Sequence, residues 1–300
     1  RAMRNMAREW RVSVVARLRG GWDPSSRLPR SAGMERKTVA TASNPRSFLA
    51  RHEFLVRRLH SLTGLVPIGA FMTMHLAANA SVLESPGTFQ RTVYQIHSLG
   101  SLLPVVEWVF IFLPILFHGL LGLVIIRGGT MNAGAYPYAS NVRYVLQRVT
   151  GLIALVFIVS HVLHMHGWIH AEAWLEHVVR PLGGAQFRPY NAASTLGTAM
   201  QGTLIPLLYA VGLLACVFHL ANGLWTMGIT WGMWISPAAQ RRATWGCAAV
   251  GGVLALLALA ALYGAVTVDT HHAAEVENAM YEARVAAQEL LPNEHKRARP

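Results

Sequence analysis

Residues 59–83 read LHSLTGLVPIGAFMTMHLAANASVL, a stretch without Asp, Glu, Lys or Arg. An α-helix rises about 1.5 Å per residue, so about 20 apolar residues cross the roughly 30 Å of hydrocarbon in a bilayer. Four more stretches lack these charges, at 108–126, 149–171, 189–240 and 243–268. The longest of them opens with a polar part rich in Gly, Asn and Ser, which leaves its apolar part for the span. We therefore predict an all-α integral membrane protein with five transmembrane helices, near 60–82, 105–126, 147–168, 204–228 and 245–268.

The composition of the whole chain supports a membrane protein. Of its 300 residues, 53% are hydrophobic and only 13% are Asp, Glu, Lys or Arg. Soluble domains carry about 25% charged residues. A chain this apolar is not expected to be a soluble enzyme or a disordered segment, and its two cysteines do not make a disulfide scaffold.

The positions of Lys and Arg predict the orientation. Residues 1–58 carry 14 Lys or Arg against 4 Asp or Glu, which accounts for most of the formal net charge of +12. The loops after the second and fourth spans also carry Arg without acids, whereas the opposite loops mix both signs. Because basic residues collect in cytoplasmic segments, we expect the N-terminus inside the cell and the C-terminus outside.

The chain is predicted to have three regions. Residues 1–50 form a basic cytoplasmic segment, 51–268 the five-helix membrane domain, and 269–300 a polar, partly helical tail. Met34 opens MERKTVATASNPRSF and is a candidate start, which would make residues 1–33 non-native. Trp, Pro and Ser dilute the basic excess, so a topology signal is favoured over a nucleic-acid-binding arm, and no nucleic-acid partner is expected.

Four histidines lie deep inside four different spans, at positions 75, 118, 161 and 219. A polar side chain in hydrocarbon is unfavourable and is usually functional. The rise per residue places His75 and His161 about 25 and 20 Å from the cytoplasmic ends of their helices, and His118 and His219 both about 14 Å. The sequence therefore predicts two pairs of histidines, one at an outer level and one at an inner level.

Two histidines facing each other across a helix bundle are the arrangement that ligates one haem axially, so two levels predict two haems. The sequence has no CxxCH motif for covalent attachment, which leaves haem b. Zinc would need three or four ligands at one level. Cys216 and Cys247 are too few for an iron–sulfur cluster. Iron held by two histidines is six-coordinate, which favours electron transfer over oxygen chemistry. Gly64 and Gly151 fall near the inner level and are predicted to leave space for a macrocycle.

Four segments resemble the dihaem cytochrome b anchor subunit of succinate:menaquinone oxidoreductases. They are RRLHSLTGLVPIGAFMTMHLAAN (57–79), EWVFIFLPILFHGLLG (107–122), LQRVTGLIALVFIVSH (146–161) and FHLANGLWTMGITWG (218–232). The likeness covers roughly 50–268 and includes the histidine of each span. The first 45 residues and the tail after 270 lie outside it, and the outer segment 168–204 is longer than the family leads us to expect.

The resemblance implies that the first four spans form a bundle around two b-type haems in the bacterial cytoplasmic membrane. His118 and His219 would hold the proximal haem, and His75 and His161 the distal haem. A flavoprotein subunit would oxidise succinate, an iron–sulfur subunit would relay the electrons, and this chain would pass them to menaquinone. These partners, the quinone and the lipid bilayer are the expected contacts.

Four side chains cluster at the cytoplasmic mouth, namely Arg57, Arg58, His60 and Arg148. Arginine forks suit carboxylates, so we expect contacts to haem propionates or to the iron–sulfur subunit. Snorkelling to the membrane surface is the alternative.

Glu107 is predicted to be the one carboxylate within a span, at the outer end of the second. A quinone accepts two protons with two electrons, so Glu107 is the candidate proton relay, and the matching acid of the family is associated with a distal quinone site. A solvated helix start is the alternative. His164, one turn after His161, is interpreted as a polar residue at the outer boundary or as a substitute ligand.

The sequence is compatible with three functional alternatives. A fumarate reductase would run the same architecture in reverse. The dihaem cytochrome b of a hydrogenase or a formate dehydrogenase is a second electron-transfer class. A transporter with polar histidines in the membrane is the non-redox alternative.

Overall fold

The computed structural model describes residues 51–129, 134, 138–169 and 171–298. The predicted basic segment 1–50, including Met34, lies outside these residues. The described part is helical, and its α-helices are α1 Glu53–Leu65, α2 Ile68–Ala80, α3 Pro86–His97, α4 Leu103–Glu107, α5 Leu113–Arg127, α6 Ala139–Met165, α7 Glu172–Trp174, α8 Ala192–Ala199, α9 Leu204–Thr230, α10 Pro237–Thr267 and α11 Thr270–Ala286.

Five helical stretches in the described residues are long and apolar enough to cross a membrane. They are Glu53–Leu83, Gly100–Arg127, Ala139–Met165, Leu204–Thr230 and Pro237–Thr267. Each overlaps its predicted span, so the predicted all-α fold with five spans is confirmed. The first span combines α1 and α2, which are separated at Pro67, a residue without an N–H to donate.

The third span begins at Ala139, about eight residues before the start that the sequence predicts near 147. The helical turns before residue 147 are stabilised by contacts with the fourth span. Arg143 stacks its guanidinium 3.9 Å from the ring centre of Trp225, and its Nε donates to Asn222 Oδ1 at 3.0 Å. The predicted start of the span was too late because this contact is tertiary and leaves no local signal.

The fourth span, α9, is the centre of the bundle. It packs against α6, α10 and α1, while α10 also packs against α2 and α1 against α5. Large apolar side chains such as Val156, Val253 and Leu256 point away from the bundle and are about two-thirds exposed. Such a surface suits contact with lipid, where exposed apolar side chains are not unfavourable.

Three helices outside the spans, α3, α8 and α11, pack against one another next to the ends of α2 and α10. We call them the outer cap, since the charge pattern predicts this end to face outward. The predicted polar stretch before the fourth span contains α8, six of whose eight residues are buried. The predicted partly helical tail contains α11. The short segment AASTLGTA has no apolar period of its own, so its burial comes from the tertiary packing.

Side chains from α3 and α11 satisfy the start of α8. The first backbone N–H groups of a helix have no partner within that helix. Gln90 Oε1 accepts from the N–H of Ala192 at 2.9 Å, while Gln90 Nε2 donates to the carbonyl of Pro189 at 2.7 Å. Glu277 Oε1 accepts from the N–H of Ala193 at 2.5 Å, and Oε2 from the N–H and the hydroxyl of Ser194. Both side chains are fully buried, so they fix the register of the outer cap.

The buried Glu277 predicts a pH-dependent stability. Its burial raises the pKa of the carboxyl group more than the hydrogen bonds from Ser194 and Ala193 lower it. The folded cap therefore binds a proton more readily than the unfolded chain, and the free energy of unfolding falls as the pH rises from about 4.3, the ordinary pKa of Glu, through the raised value. Glu277→Gln is expected to remove this part of the pH dependence.

The measurement is the thermal unfolding of the purified complex from about pH 4 to pH 8, with Glu282→Gln on the exposed side of α11 as the control. A difference in melting temperature between wild type and Glu277→Gln that stays constant over this range contradicts the prediction.

Candidate haem sites

The outer pair of histidines meets between α2 and α6. The ring centres of His75 and His161 lie 5.9 Å apart, with their planes at 74°. Each imidazole stacks on an aromatic ring of its own helix, His75 on Phe71 at 5.4 Å and His161 on Phe157 at 5.6 Å. Packing on both sides restricts the rotation of the two imidazoles.

The inner pair meets between α5 and α9. The ring centres of His118 and His219 lie 6.2 Å apart, with their planes at 90°. His118 Nδ1 lies 2.9 Å from the backbone carbonyl of His60, and His219 Nδ1 lies 3.0 Å from that of Gln147. A carbonyl only accepts, so both Nδ1 atoms carry the proton and both Nε2 atoms keep a lone pair for a metal.

The two predicted glycines lie against the inner pair. A Cβ on Gly64 would collide with the imidazole of His118, and a Cβ on Gly151 would lie 2.8 Å from Cε1 of His219. The sequence predicts space for a macrocycle at these positions. In the structure each glycine makes room directly for an imidazole of the inner pair.

The predicted basic cluster divides in two. His60 stacks on His118 with ring centres 4.0 Å apart. Arg58 donates to the carbonyl of Thr230 at 3.4 Å, and Arg148 lies over the ring of Tyr144. Among the residues that the structure describes, Nδ1 of His60 and Nε of both arginines are buried and have no hydrogen-bond partner. These three residues therefore present unused N–H or ring-nitrogen sites at the inner end of the bundle.

Arg57 does not join them. Its Nε donates to Glu53 at 2.8 Å, and both side chains are more than half exposed. The structure places Arg57 on the protein surface because Glu53 lies one helical turn away on the same face. Of the predicted roles of Arg57, contact with a partner subunit and snorkelling to the membrane surface both suit this position.

Glu107 is the last residue of α4 and lies directly before a π-helical turn, Trp108–Phe112. Single π turns within α-helices frequently mark functional sites. The Glu107 side chain is half-buried, and Lys296 of the tail is near enough to interact with it electrostatically. The tail therefore lies near the second span at the predicted quinone end.

Within the described part of the chain, no three His, Cys, Asp or Glu side chains converge on a point that suits a metal ion. The histidines at each level form a pair, and pairs suit a haem iron, whose other four ligands come from the macrocycle.

Comparison with known proteins gives the family. No family model matches the chain. The chain is 33% identical over 211 residues to the succinate dehydrogenase cytochrome b558 subunit of Bacillus subtilis (strain 168), an alignment that covers 70% of this chain and 96% of the relative. The chain belongs to the succinate dehydrogenase cytochrome b family. This membership confirms the resemblance of the four segments and favours it over the hydrogenase type and the transporter.

A cytochrome b carries haem b, and the residues present fit that group. Two metal–nitrogen bonds of about 2 Å, together with the distance from each nitrogen to its ring centre, separate two axial imidazole centres by about 6 Å. Both pairs have this separation. The unpartnered nitrogens of Arg58, His60 and Arg148 are suited to donate to carboxylates such as propionates.

Sequence reasoning missed two side chains that support the histidines. The hydroxyl of Tyr209 in α9 lies 3.2 Å from His161 Nδ1. Asn222 donates to Gln147 Oε1 at 2.7 Å and accepts from Arg143. These bonds restrict the movement of Gln147, whose carbonyl accepts from His219. Asn222 lies three residues after His219, and this helical spacing was the only signal in the sequence.

Alanine at either inner glycine is expected to weaken the inner haem. In Gly64→Ala or Gly151→Ala the new methyl group meets the imidazole of His118 or His219, which its Nδ1 hydrogen bond holds in place. Overpacking of this kind destabilises by about 1–3 kcal/mol, so haem affinity should fall about tenfold or more. The measurement is haem per complex together with the absorbance spectrum.

Gly252→Ala in α10 is the control, since a Cβ there meets open space. Unchanged haem content in both inner variants contradicts the prediction.

Proposed function

We propose that this chain is the haem-carrying membrane anchor of succinate dehydrogenase, which passes electrons from an iron–sulfur subunit through two bis-histidine b haems to menaquinone. The single observation that carries the proposal is the alignment with the cytochrome b558 subunit, which extends over nearly the whole relative. The two histidine pairs, each on two facing helices, support the number of haems.

The basic loops support an orientation with the N-terminus in the cytoplasm and the C-terminus outside, in the cytoplasmic membrane of a bacterium. The inner pair, His118 and His219, then lies nearer the cytoplasmic side and takes the proximal haem. His75 and His161 take the distal haem. A flavoprotein subunit that oxidises succinate and an iron–sulfur subunit bind on the cytoplasmic side, where Arg57 is exposed for contact.

The protein's own residues orient the two haems and set their surroundings. A haem bound at each pair would supply one-electron redox chemistry, with the two histidines of the pair holding its iron. The carbonyls of His60 and Gln147 accept from Nδ1 of His118 and His219, which leaves a lone pair on each Nε2 for an iron. Arg58, Arg148 and His60 would donate to propionates of the proximal haem and so stabilise these carboxylates in a medium of low dielectric constant.

Glu107 relays protons to the reduced quinone. It lies at the outer end of the second span, and the π turn after it turns Trp108 and Phe112 out of ordinary α-helical register. A carboxyl group can accept a proton on one side and deliver it on the other, which two-electron reduction of a quinone needs twice.

The test is succinate-driven quinone reduction by the purified complex, with haem per complex and a reduced-minus-oxidised spectrum measured on the same sample. We expect two haems b, co-purified flavoprotein and iron–sulfur subunits, and quinone reduction that depends on this chain. The soluble subunits without the chain serve as the control and should reduce only a water-soluble dye. A complex without haem, or one whose quinone reduction does not need this chain, overturns the proposal.

A further inference from the structure

The hydroxyl of Tyr209, at the outer end of α9, is shared between two histidines of α6. It lies 3.2 Å from His161 Nδ1 and 2.7 Å from His164 Nδ1. The two histidines are three residues apart and so share one face of their helix. Phe157 stands edge-on to the ring of Tyr209 and stacks on His161, and it packs where Gly212 has no side chain.

The partners of the phenol fix the direction of its hydrogen bonds. A tyrosine hydroxyl donates one proton and accepts others. An imidazole that binds iron through Nε2 has its proton on Nδ1, so His161 donates to Tyr209. The hydroxyl proton of Tyr209 then points to His164 Nδ1, and the short 2.7 Å separation suits this donation. The result is a chain of hydrogen bonds from His161 through Tyr209 to His164.

The inner pair has no such chain of side-chain hydrogen bonds from Nδ1 among the described residues. His118 and His219 both donate to backbone carbonyls, which no substitution removes. His161 instead donates to a side chain whose acceptor strength depends on a second side chain. The acceptor opposite Nδ1 tunes the basicity of a metal-bound imidazole and, through it, the metal.

We propose that Tyr209 is a positioning residue that sets the tautomer and the basicity of His161, with His164 polarising Tyr209, so that the redox potential of the distal haem is tuned separately from that of the proximal haem. This inference rests on the proposed function, because it takes His161 as a haem ligand. His164 is thereby assigned as a support of the ligand rather than as a substitute for it.

Tyr209→Phe removes the acceptor and keeps the ring. The imidazole of His161 then donates less electron density to iron, the ferric state is less stabilised, and the midpoint potential of the distal haem should rise while that of the proximal haem stays unchanged. The measurement is a potentiometric titration of the haem absorbance in the intact complex, with electron paramagnetic resonance spectra of both ferric haems. Tyr263→Phe, at an exposed tyrosine of the fifth span, is the matched control.

His164 gives a second test that leaves Tyr209 in place. His164→Leu removes the acceptor of the Tyr209 proton and should shift the distal haem alone. His164→Asn keeps an acceptor near the position of Nδ1 and should return the potential towards that of wild type. If Tyr209→Phe does not assemble, the two His164 variants still test whether this hydrogen-bond chain sets the potential of the distal haem.

The outcomes separate the two proposals. A wild-type complex without two haems overturns the proposed function. A wild-type complex with two haems, in which Tyr209→Phe and His164→Leu leave the distal haem unmoved or shift the proximal haem equally, overturns only this inference.

Discussion

His118→Ala and His219→Ala are each expected to remove one and the same haem from the complex, and His75→Ala and His161→Ala the other. The reason is geometric, because each of these four histidines lies with its ring centre about 6 Å from that of one other of the four, on a different helix. Iron that loses one of two imidazoles loses half of its protein ligands, and within the described residues no three His, Cys, Asp or Glu side chains converge in a way that suits a metal ion. We expect haem per complex to fall from two to one in each variant.

The spectra identify which haem is lost. The two variants of one pair should show the spectrum and midpoint potential of the same remaining haem. The two variants of the other pair should show those of the other haem. His271→Ala, at a histidine of the outer cap that is largely exposed, is the control and should retain both haems. The pairing is wrong if His75→Ala and His161→Ala leave different haems behind.

Glu107→Gln is expected to abolish succinate-driven quinone reduction while both haems stay in place. General acid–base catalysis contributes about 10²- to 10⁴-fold, and an amide of the same shape cannot transfer the proton. Glu107 precedes His118 by eleven residues, about 16 Å along the same span, so its replacement leaves the four ligands untouched. The readouts are quinone turnover, dye reduction by the soluble subunits, and haem content.

Glu84→Gln is the matched control, since Glu84 is an exposed carboxylate that follows the outer end of the first span. Dye reduction should be unchanged in both variants. If Glu107→Gln retains the quinone turnover of the control, the carboxylate is no more than a solvated helix residue.

The sequence alone predicted the five spans and the two levels of histidine. Both follow from one-dimensional quantities, the absence of charge over about 20 residues and the rise per residue of a helix. The structure confirms the spans and brings together the same pairs, His75 with His161 and His118 with His219. Their role as haem ligands stays a prediction until the variants are measured.

The neighbours of the histidines were less predictable. Gly64 and Gly151 were placed at the correct level from their spacing, but contact with an imidazole depends on which helices face each other. Arg57 and Arg58 are adjacent in sequence, yet Arg57 pairs with Glu53 on the surface and Arg58 reaches Thr230. Adjacent residues on a helix point about 100° apart, so only the packing separates their roles.

The spans and the histidine levels could therefore be predicted from the sequence, because the hydrocarbon of the bilayer excludes charge from any helix that crosses it. The tertiary structure alone decided the rest. Glu277 reaches the start of α8 from 83 residues away, and Tyr209 reaches His161 and His164 from another helix. These contacts join segments with no shared period or motif, and their hydrogen bonds form only where packing brings the partners within about 3 Å.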